Sequence, residues 1–242
     1  MFTLWRTLWN SLPSICHVCG AWPASAVCDA CAQRFRGAPR RCGGCAAPLV
    51  ADATRCGTCL TQPTPAPLHT CVAAVDYAYP WNGLIARFKF RNEPGWAGPF
   101  AHQMAAAPLA ADLLSQCDLM VPVPLTRSRL AHRGYNQAWE LVKSLRRLSP
   151  GQHAARPDAL VRLLETPDQH SLAREQRLRN LRGAFAVHPQ GIRQIEQAHV
   201  LLVDDVMTTG ATLQAAAQAL QQAGAARVSA MVFARTAAPS TE

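Results

Sequence analysis

A chain of 242 residues with 49% hydrophobic content has room for one substantial domain and a small one, and enough apolar material for a packed core, which excludes a disordered polymer. No apolar run approaches the ~18 residues of a membrane-spanning helix. The net charge is +9, from 24 basic against 15 acidic residues, and 22 of the 24 are Arg, a side chain that meets phosphate bidentately and so suits a polyanionic ligand.

Met1 to Leu12 places Leu4, Trp5, Leu8, Trp9 and Leu12 at helical spacing. Arg6 and Asn10 interrupt the stripe and no small-residue cleavage site follows, so it reads as a helix packed on the protein, with a partner site as the lesser alternative, rather than an export signal, and a cytoplasmic location is expected. Ten cysteines occur, and eight form four Cys-x-x-Cys pairs: Cys16/Cys19, Cys28/Cys31, Cys42/Cys45 and Cys56/Cys59. A two-residue gap lets both thiolates of a knuckle face one ion, and two knuckles complete a tetrahedral structural site. The expected arrangement is two zinc ions, one on Cys16, Cys19, Cys28 and Cys31 and one on Cys42, Cys45, Cys56 and Cys59. A cross-braced pairing of first knuckle with third and second with fourth fits the pattern too. Disulfides compete, but they need an oxidising compartment. This segment has many Gly, Pro and Cys and few aliphatic residues, so metal binding, worth ~10–16 kcal/mol in zinc-finger peptides, supplies most of its stability. The Pro-rich stretch Gln62 to Pro67 reads as a semi-rigid linker, which divides the chain into a small zinc-ribbon domain, 1–67, and a larger domain, 68–242.

Beyond residue 68 strands and helices alternate. Val72 to Tyr79 reads as a strand, Trp81 to Phe90 as a short helix, and Gly98 to Leu114 as a helix broken or kinked at Pro108. Asp118 to Val123 reads as a strand and Tyr135 to Leu148 as an amphipathic helix. Leu160 to Leu164 and Ala184 to Val187 are short strand candidates. Val200 to Val203 is an apolar strand buried on both faces, Leu213 to Ala223 a helix, and Arg227 to Ala234 a last strand. Such alternation predicts an α/β fold, a mostly parallel sheet with helices on both faces and its ligand site beyond the carboxyl ends of the strands. Cys71 and Cys117 stand outside the knuckles and read as buried core thiols.

The chemistry concentrates where Asp204 and Asp205 are expected to end the Val200 strand and Thr208, Thr209, Gly210, Ala211 and Thr212 lead into the next helix. A turn of that kind aims backbone N–H groups and hydroxyls at one anion, and the helix start adds partial positive charge. Carboxylates just upstream accept hydrogen bonds from sugar hydroxyls or hold a divalent cation. The ligand described by this order is a ribose 5-phosphate carrying further charge. The stretch resembles the 5-phosphoribosyl-1-pyrophosphate (PRPP) signature of type I phosphoribosyltransferases, which implies that fold for the larger domain.

Residues 127–147 carry Arg127, Arg129, Arg133, Lys143, Arg146 and Arg147, and residues 174–182 carry Arg174, Arg177, Arg179 and Arg182. Arg127 and Arg133 follow a strand, in what reads as a loop stiffened by Pro122 and Pro124; Arg146 and Arg147 read equally well as a solvated face. The run 121–138, with Phe88-Lys89-Phe90-Arg91, Gln169, Leu172, Arg177, Asn180, Gly183-Ala184-Phe185 and the cysteine-rich N-terminal region, is similar to the ComF family, phosphoribosyltransferase-like proteins linked to DNA uptake in competent bacteria. The resemblance covers residues 12 to 236.

It implies a cytoplasmic PRPP-binding protein that acts on, or accompanies, incoming single-stranded DNA, with proteins of the uptake machinery as partners. It assigns Asp204 and Asp205 to the ribose hydroxyls and residues 208–212 to the 5-phosphate. Arg127 and Arg133 would meet pyrophosphate with magnesium, and residues 166–182, with Arg177, would form a lid near Lys89 and Arg91. Catalysis would transfer phosphoribose to a nucleophile with loss of pyrophosphate. The 6-oxopurine enzymes have an Asp where this chain has Thr208, which argues against hypoxanthine or guanine as acceptor. Three readings stay open: a phosphoribosyltransferase with a small-molecule acceptor, a module that holds single-stranded DNA through Arg clusters such as Arg34, Arg36, Arg40 and Arg41, and a PRPP-sensing regulator without catalysis.

Overall fold

The computed structural model describes residues 14–38, 40–49, 52–61, 66–149, 153–163 and 183–237. The apolar N-terminal stripe, most of the Pro-rich segment and the expected lid with Arg174, Arg177, Arg179 and Arg182 lie outside these residues. Two compact units divide between Arg36 and Gly37.

The first unit is a cysteine module. A bridge between Ser14 and Ala24 closes a loop carrying Cys16 and Cys19, and a short helix, α1 (Asp29–Arg34), follows. Cys28 is its N-cap residue and Cys31 lies three positions on, so helical spacing brings both thiols to one face.

The second unit opens with a module built the same way, in which Cys56 caps α2 (Gly57–Leu60) and Cys59 lies one turn along. The α/β body follows in chain order. It comprises β1 (Cys71–Asp76), α3 (Trp81–Phe90), a 3-10 turn at Pro94–Trp96, α4 (Ala97–Ala105), α5 (Ala110–Gln116) and β2 (Leu119–Pro122). Next come α6 (Arg127–Arg133), α7 (Gln137–Leu148), β3 (Ala154–Ala155), β4 (Leu160–Arg162), β5 (Phe185–Val187) and α8 (Ile192–Ile195). β6 (His199–Met207), α9 (Ala211–Gln222) and β7 (Arg227–Arg235) complete it. The main sheet has the order β1-β7-β6-β2-β3 with every pairing parallel, while β4 and β5 form a separate antiparallel pair.

Local chemistry sets the element ends. Pro108 separates α4 from α5, and Leu109 in the gap takes a left-handed φ of 65°. Asn136 caps α7 by accepting from the Ala138 and Trp139 amides, and Thr126 caps α6 by accepting from Arg129. β6 is central, so Val200 to Val203 are fully buried on both faces. One face packs aromatically: Phe233 of β7 stacks on Phe100 of α4 at 3.9 Å and meets Trp81 of α3 edge-on at 5.4 Å. The other face joins Val200, Leu202 and Val232 to Leu213, Ala216, Ala217 and Leu220 of α9 and to Leu160 and Phe185 of the β4–β5 pair.

The second cysteine module belongs to this core. Cys42, Cys45, Ala46 and Cys59 pack with Leu68, Cys71 and Ala73, and the Cys71 amide donates to the Gly43 carbonyl at 2.8 Å, covering the edge of β1. Arg41 pairs with Asp76 at 2.8 Å. The module is thus part of the α/β unit, although the sequence places a boundary after residue 67. Cys71 and Cys117 are buried, and burial pushes their thiols up to about 12 and about 11, as suits core residues.

Candidate functional site

Because the main sheet is parallel, the carboxyl ends of its strands lie together. Met207 is paired in register with Arg235, and Arg235 with Asp76. β6 runs beyond the expected Val203, so Asp204 and Asp205 stand inside the strand and not past its end. Pairing with β7 continues through Met207 and holds the backbone extended. Successive strand residues face opposite sides. Asp205 turns toward α3, where its Oδ1 lies 2.9 Å from Nζ of Lys89. Asp204 is half-buried, and its Oδ1 accepts the Asp205 amide at 2.9 Å. Burial and the Asp205 carboxylate push the Asp204 carboxyl up to about 7, against the pull of Lys89. The Asp205 amide and Arg162 pull with Lys89, so burial beside a second carboxylate is what keeps Asp204 high.

The turn follows at once. Gly210 has a φ of 81°, in the left-handed region that glycine enters without strain, and a Cβ there would collide with the Met207 methyl. Thr209 Oγ1 accepts the Ala211 amide at 3.3 Å, Thr208 is exposed and Thr212 lies half-buried in the first turn of α9. The N-cap residue of α9 is Gly210, which has no side chain to cap it, and apart from the Ala211 amide held by Thr209 its first turn takes no side-chain cap.

Four more basic groups come from α6, the end of α3 and β4. Arg133 lies over the ring of Phe90, the residue after Lys89, at 5.3 Å and donates to Gln137 Oε1 at 3.0 Å. Its segment and that of Arg127 form helix α6 instead of the expected loop, because Thr126 caps the start and Gly134, with φ of 77°, ends it. Arg127 and Arg91 are exposed. Arg162 of β4 is half-buried over Phe185, where burial and neighbouring Arg129 lower its basicity and Asp204 opposes them. The sequence reading gave Arg162 no role; its one signal is a charge in a short apolar strand. Nor did it single out Arg235, which closes β7 at 6% exposure.

Away from the turn, the eight cysteines gather in two quartets, Cys16/Cys19/Cys28/Cys31 and Cys42/Cys45/Cys56/Cys59, each with sulfurs within 4.8 Å of one another. Neighbouring knuckles therefore pair, not alternate ones. The Cys19–Cys28 and Cys45–Cys56 sulfurs lie 3.8 and 3.6 Å apart. A tetrahedral ion with metal–sulfur bonds of ~2.3 Å requires an edge of about 3.8 Å, so the donor set fits one ion per quartet. Backbone amides support it: Cys28 N–H points to Cys16 Sγ and Cys56 N–H to Cys42 Sγ. Burial raises the Cys42 thiol, but the amides of Cys56, Gly44 and Cys45 outweigh it and bring it down to about 7. Among the described residues no helix is long and apolar enough to cross a membrane.

Comparison with known proteins bears on this arrangement directly. DNA utilization protein YhgH of Escherichia coli K12 is 32% identical over 235 residues, covering 93% of this chain and 99% of its own length. The chain belongs to the ComF family. Competence protein F of Haemophilus influenzae is 31% identical over 86% of the chain and 90% of its own length, and competence protein ComFC of Bacillus subtilis is 29% identical over 63% and 58%. Residues 160–242 match the phosphoribosyl transferase domain, which takes in β4 to β7 and the whole Asp204 to Thr212 stretch. A phosphoribosyltransferase-type parallel α/β fold accompanied by cysteine quartets is therefore the architecture of this member.

Proposed function

We propose that this protein binds PRPP at the end of β6 and acts as a phosphoribosyltransferase-like protein in the handling of single-stranded DNA. The observation that carries the reading is the Asp204–Asp205 pair, one carboxylate held by Lys89 and the other raised by burial beside it, leading through Gly210 into the start of α9. In this reading the 5-phosphate takes the amides of residues 208–212 and the hydroxyls of Thr208, Thr209 and Thr212. Asp204 accepts the ribose hydroxyls, and Asp205 joins it from beneath while Lys89 balances the charge. Arg127 and Arg133 face the pyrophosphate, with Lys89 and Arg91 beside them; Arg177, expected in the lid, lies outside the described residues.

Asp204 is the carboxylate suited to hold magnesium, which when bound with PRPP would neutralise pyrophosphate charge, while Asp205 is held by Lys89. Transfer breaks the bond from C1 of ribose to the pyrophosphate oxygen, which leaves with the electron pair, and forms a bond from C1 to the acceptor. The protein's part is to fix the ribose, withdraw charge from the leaving group through Lys89 and the arginines, and keep water out. Thr208 offers no carboxylate to take a proton from a 6-oxopurine, so the acceptor is of another kind, or PRPP serves as a ligand that is sensed. The DNA role rests on the names of the relatives, DNA utilization and competence, and on the charge of +9. In this reading each quartet holds a structural zinc, and zinc-bound thiolates and PRPP both suit a reducing cytoplasm, where uptake proteins would be the partners.

The test is calorimetry with PRPP and magnesium. Asp204→Asn with Asp205→Asn removes two charged acceptors at ~1.5–3 kcal/mol each, a loss of at least about 100-fold in affinity with the fold retained. Unchanged affinity would place the ribose elsewhere.

A further inference from the structure

The second cysteine quartet and the phosphate turn share one buried arginine. Arg235 Nε donates to the Cys45 carbonyl at 2.9 Å. Its Nη1 donates to the Met207 carbonyl at 3.3 Å and also to the carbonyls of Thr208 and Thr236. One planar guanidinium thus fastens the main chain of a metal knuckle to the first residues of the turn. A guanidinium presents its donors in a fixed fork and accepts nothing, so displacing one carbonyl displaces or strips the others. A second line of contact runs alongside. The Cys71 amide bonds to Gly43, Cys71 Sγ lies 3.5 Å from Met207 Sδ, and the Met207 methyl occupies the space beside Gly210.

We propose that Arg235 is a positioning residue that couples metal occupancy of the Cys42/Cys45/Cys56/Cys59 quartet to the shape of the phosphate turn. The inference rests on the PRPP reading given above. A bound ion fixes the knuckle and hence the Cys45 carbonyl. Without it that acceptor is released, and a nearly buried cation must draw on the carbonyls of Met207 and Thr208, dragging the turn out of register with a 5-phosphate. Linkage then runs both ways, so PRPP must also retain the metal.

Wild-type protein is titrated calorimetrically with PRPP and magnesium, and transfer of zinc to a chromogenic chelator is followed with and without PRPP. In the Cys16→Ser/Cys19→Ser chain, where only the second quartet remains complete, PRPP should slow transfer about tenfold, and in the unmutated chain one of two release phases should slow likewise. Arg235→Lys keeps the charge but loses the fork. It should weaken PRPP about tenfold and abolish the slowing, with zinc content unchanged. Equal release rates with and without PRPP, in a protein that binds PRPP, overturn the coupling even if the Arg235 variant fails to fold. A wild-type protein that shows no PRPP binding brings down the PRPP reading, and the coupling with it.

Discussion

Replacing Lys89 by Met keeps the aliphatic stem of the side chain and removes the charge that faces Asp205. The two side chains are only 19% and 8% exposed and their charged atoms are 2.9 Å apart, so solvent screens little of the interaction. Removing one member of a pair this buried costs ~3–5 kcal/mol, because the partner is left charged and uncompensated. Here the orphan would also stand beside Asp204. We expect Lys89→Met to lose about 3 kcal/mol of unfolding free energy at pH 8. Asp205→Asn should lose less, and the double variant should recover part of the loss, giving a coupling of at least ~1 kcal/mol in the cycle. The pH dependence follows from Asp204. Its carboxyl is raised to about 7 in the fold, so the folded chain binds a proton that the unfolded chain has released. That contribution is fully present below the unfolded pKa of ~4 and is lost as pH rises through about 7. Lys89 holds Asp204 down, so without it the titration moves higher and the penalty of Lys89→Met shrinks as pH falls from 8 to 6. Urea unfolding at both pH values measures this. Single losses that add within ~0.5 kcal/mol would refute the reasoning, by showing that Lys89 and Asp205 do not meet in solution.

Elemental analysis of purified protein should give two zinc ions per chain, since each quartet of sulfurs matches a tetrahedral edge; metal near zero, with disulfides found by mass spectrometry, would contradict it. Gly210→Ala forces a side chain into a left-handed position and against Met207, so PRPP affinity should fall at least tenfold while stability drops about 1–2 kcal/mol. An Ala variant with wild-type calorimetry would show that the turn does not cradle phosphate.

The strand–turn–helix order was legible because its signals are local. Four apolar residues mark a strand buried on both faces, and a glycine between small residues marks the turn. Trp81 to Phe90 was legible throughout its length, since its apolar spacing carries through Gly83 as far as Phe88. The end of β6 was not, because Asp204 and Asp205 read as a stop signal while pairing with β7 overrides their weak strand preference. The α6 segment read as a loop because its prolines precede it, and the Thr126 cap that starts a helix is a single hydroxyl among many. Lys89 was suspected as a charge, but its partner could not be named from 116 residues away in the chain. The second cysteine module looked like a bead on a linker since Pro-rich spacing is conspicuous and core packing is not. Its contacts to Cys71, Asp76 and Arg235 are long-range and leave no periodic trace.

Charge shows the same gap between counting and placement, and it decides how DNA binding should be tested. Arg40 and Arg41 looked like a basic patch on an independent ribbon. In the structure Arg40 pairs with Asp52 and Arg41 with Asp76, the latter half-buried and also donating to the Ala46 carbonyl. Arg41→Ala should therefore destabilise the second module, and a loss of DNA binding in that variant would say nothing about contacts. Arg87 and Arg156 are likewise engaged, with Glu93 and Asp158. Among the described residues the exposed arginines without such pairs include Arg91 at the end of α3, Arg127 at the start of α6, and Arg146 and Arg147 at the end of α7. α7 starts beside the carboxyl end of β2, where the Asn136 amide donates to Val123, and its 12 residues carry it about 18 Å away. Single-stranded DNA held by Arg146 and Arg147 would bind together with PRPP, whereas DNA held by Arg91 and Arg127 would compete with it. Either mode should show affinity falling with salt at a log–log slope of about −0.7 per phosphate contacted. Arg146→Ala/Arg147→Ala should flatten that slope by about 1.4 if the far end is the track, leaving PRPP affinity unchanged. Binding indifferent to salt, or none at physiological salt, would remove DNA from the account and leave a small-molecule acceptor or a sensed ligand.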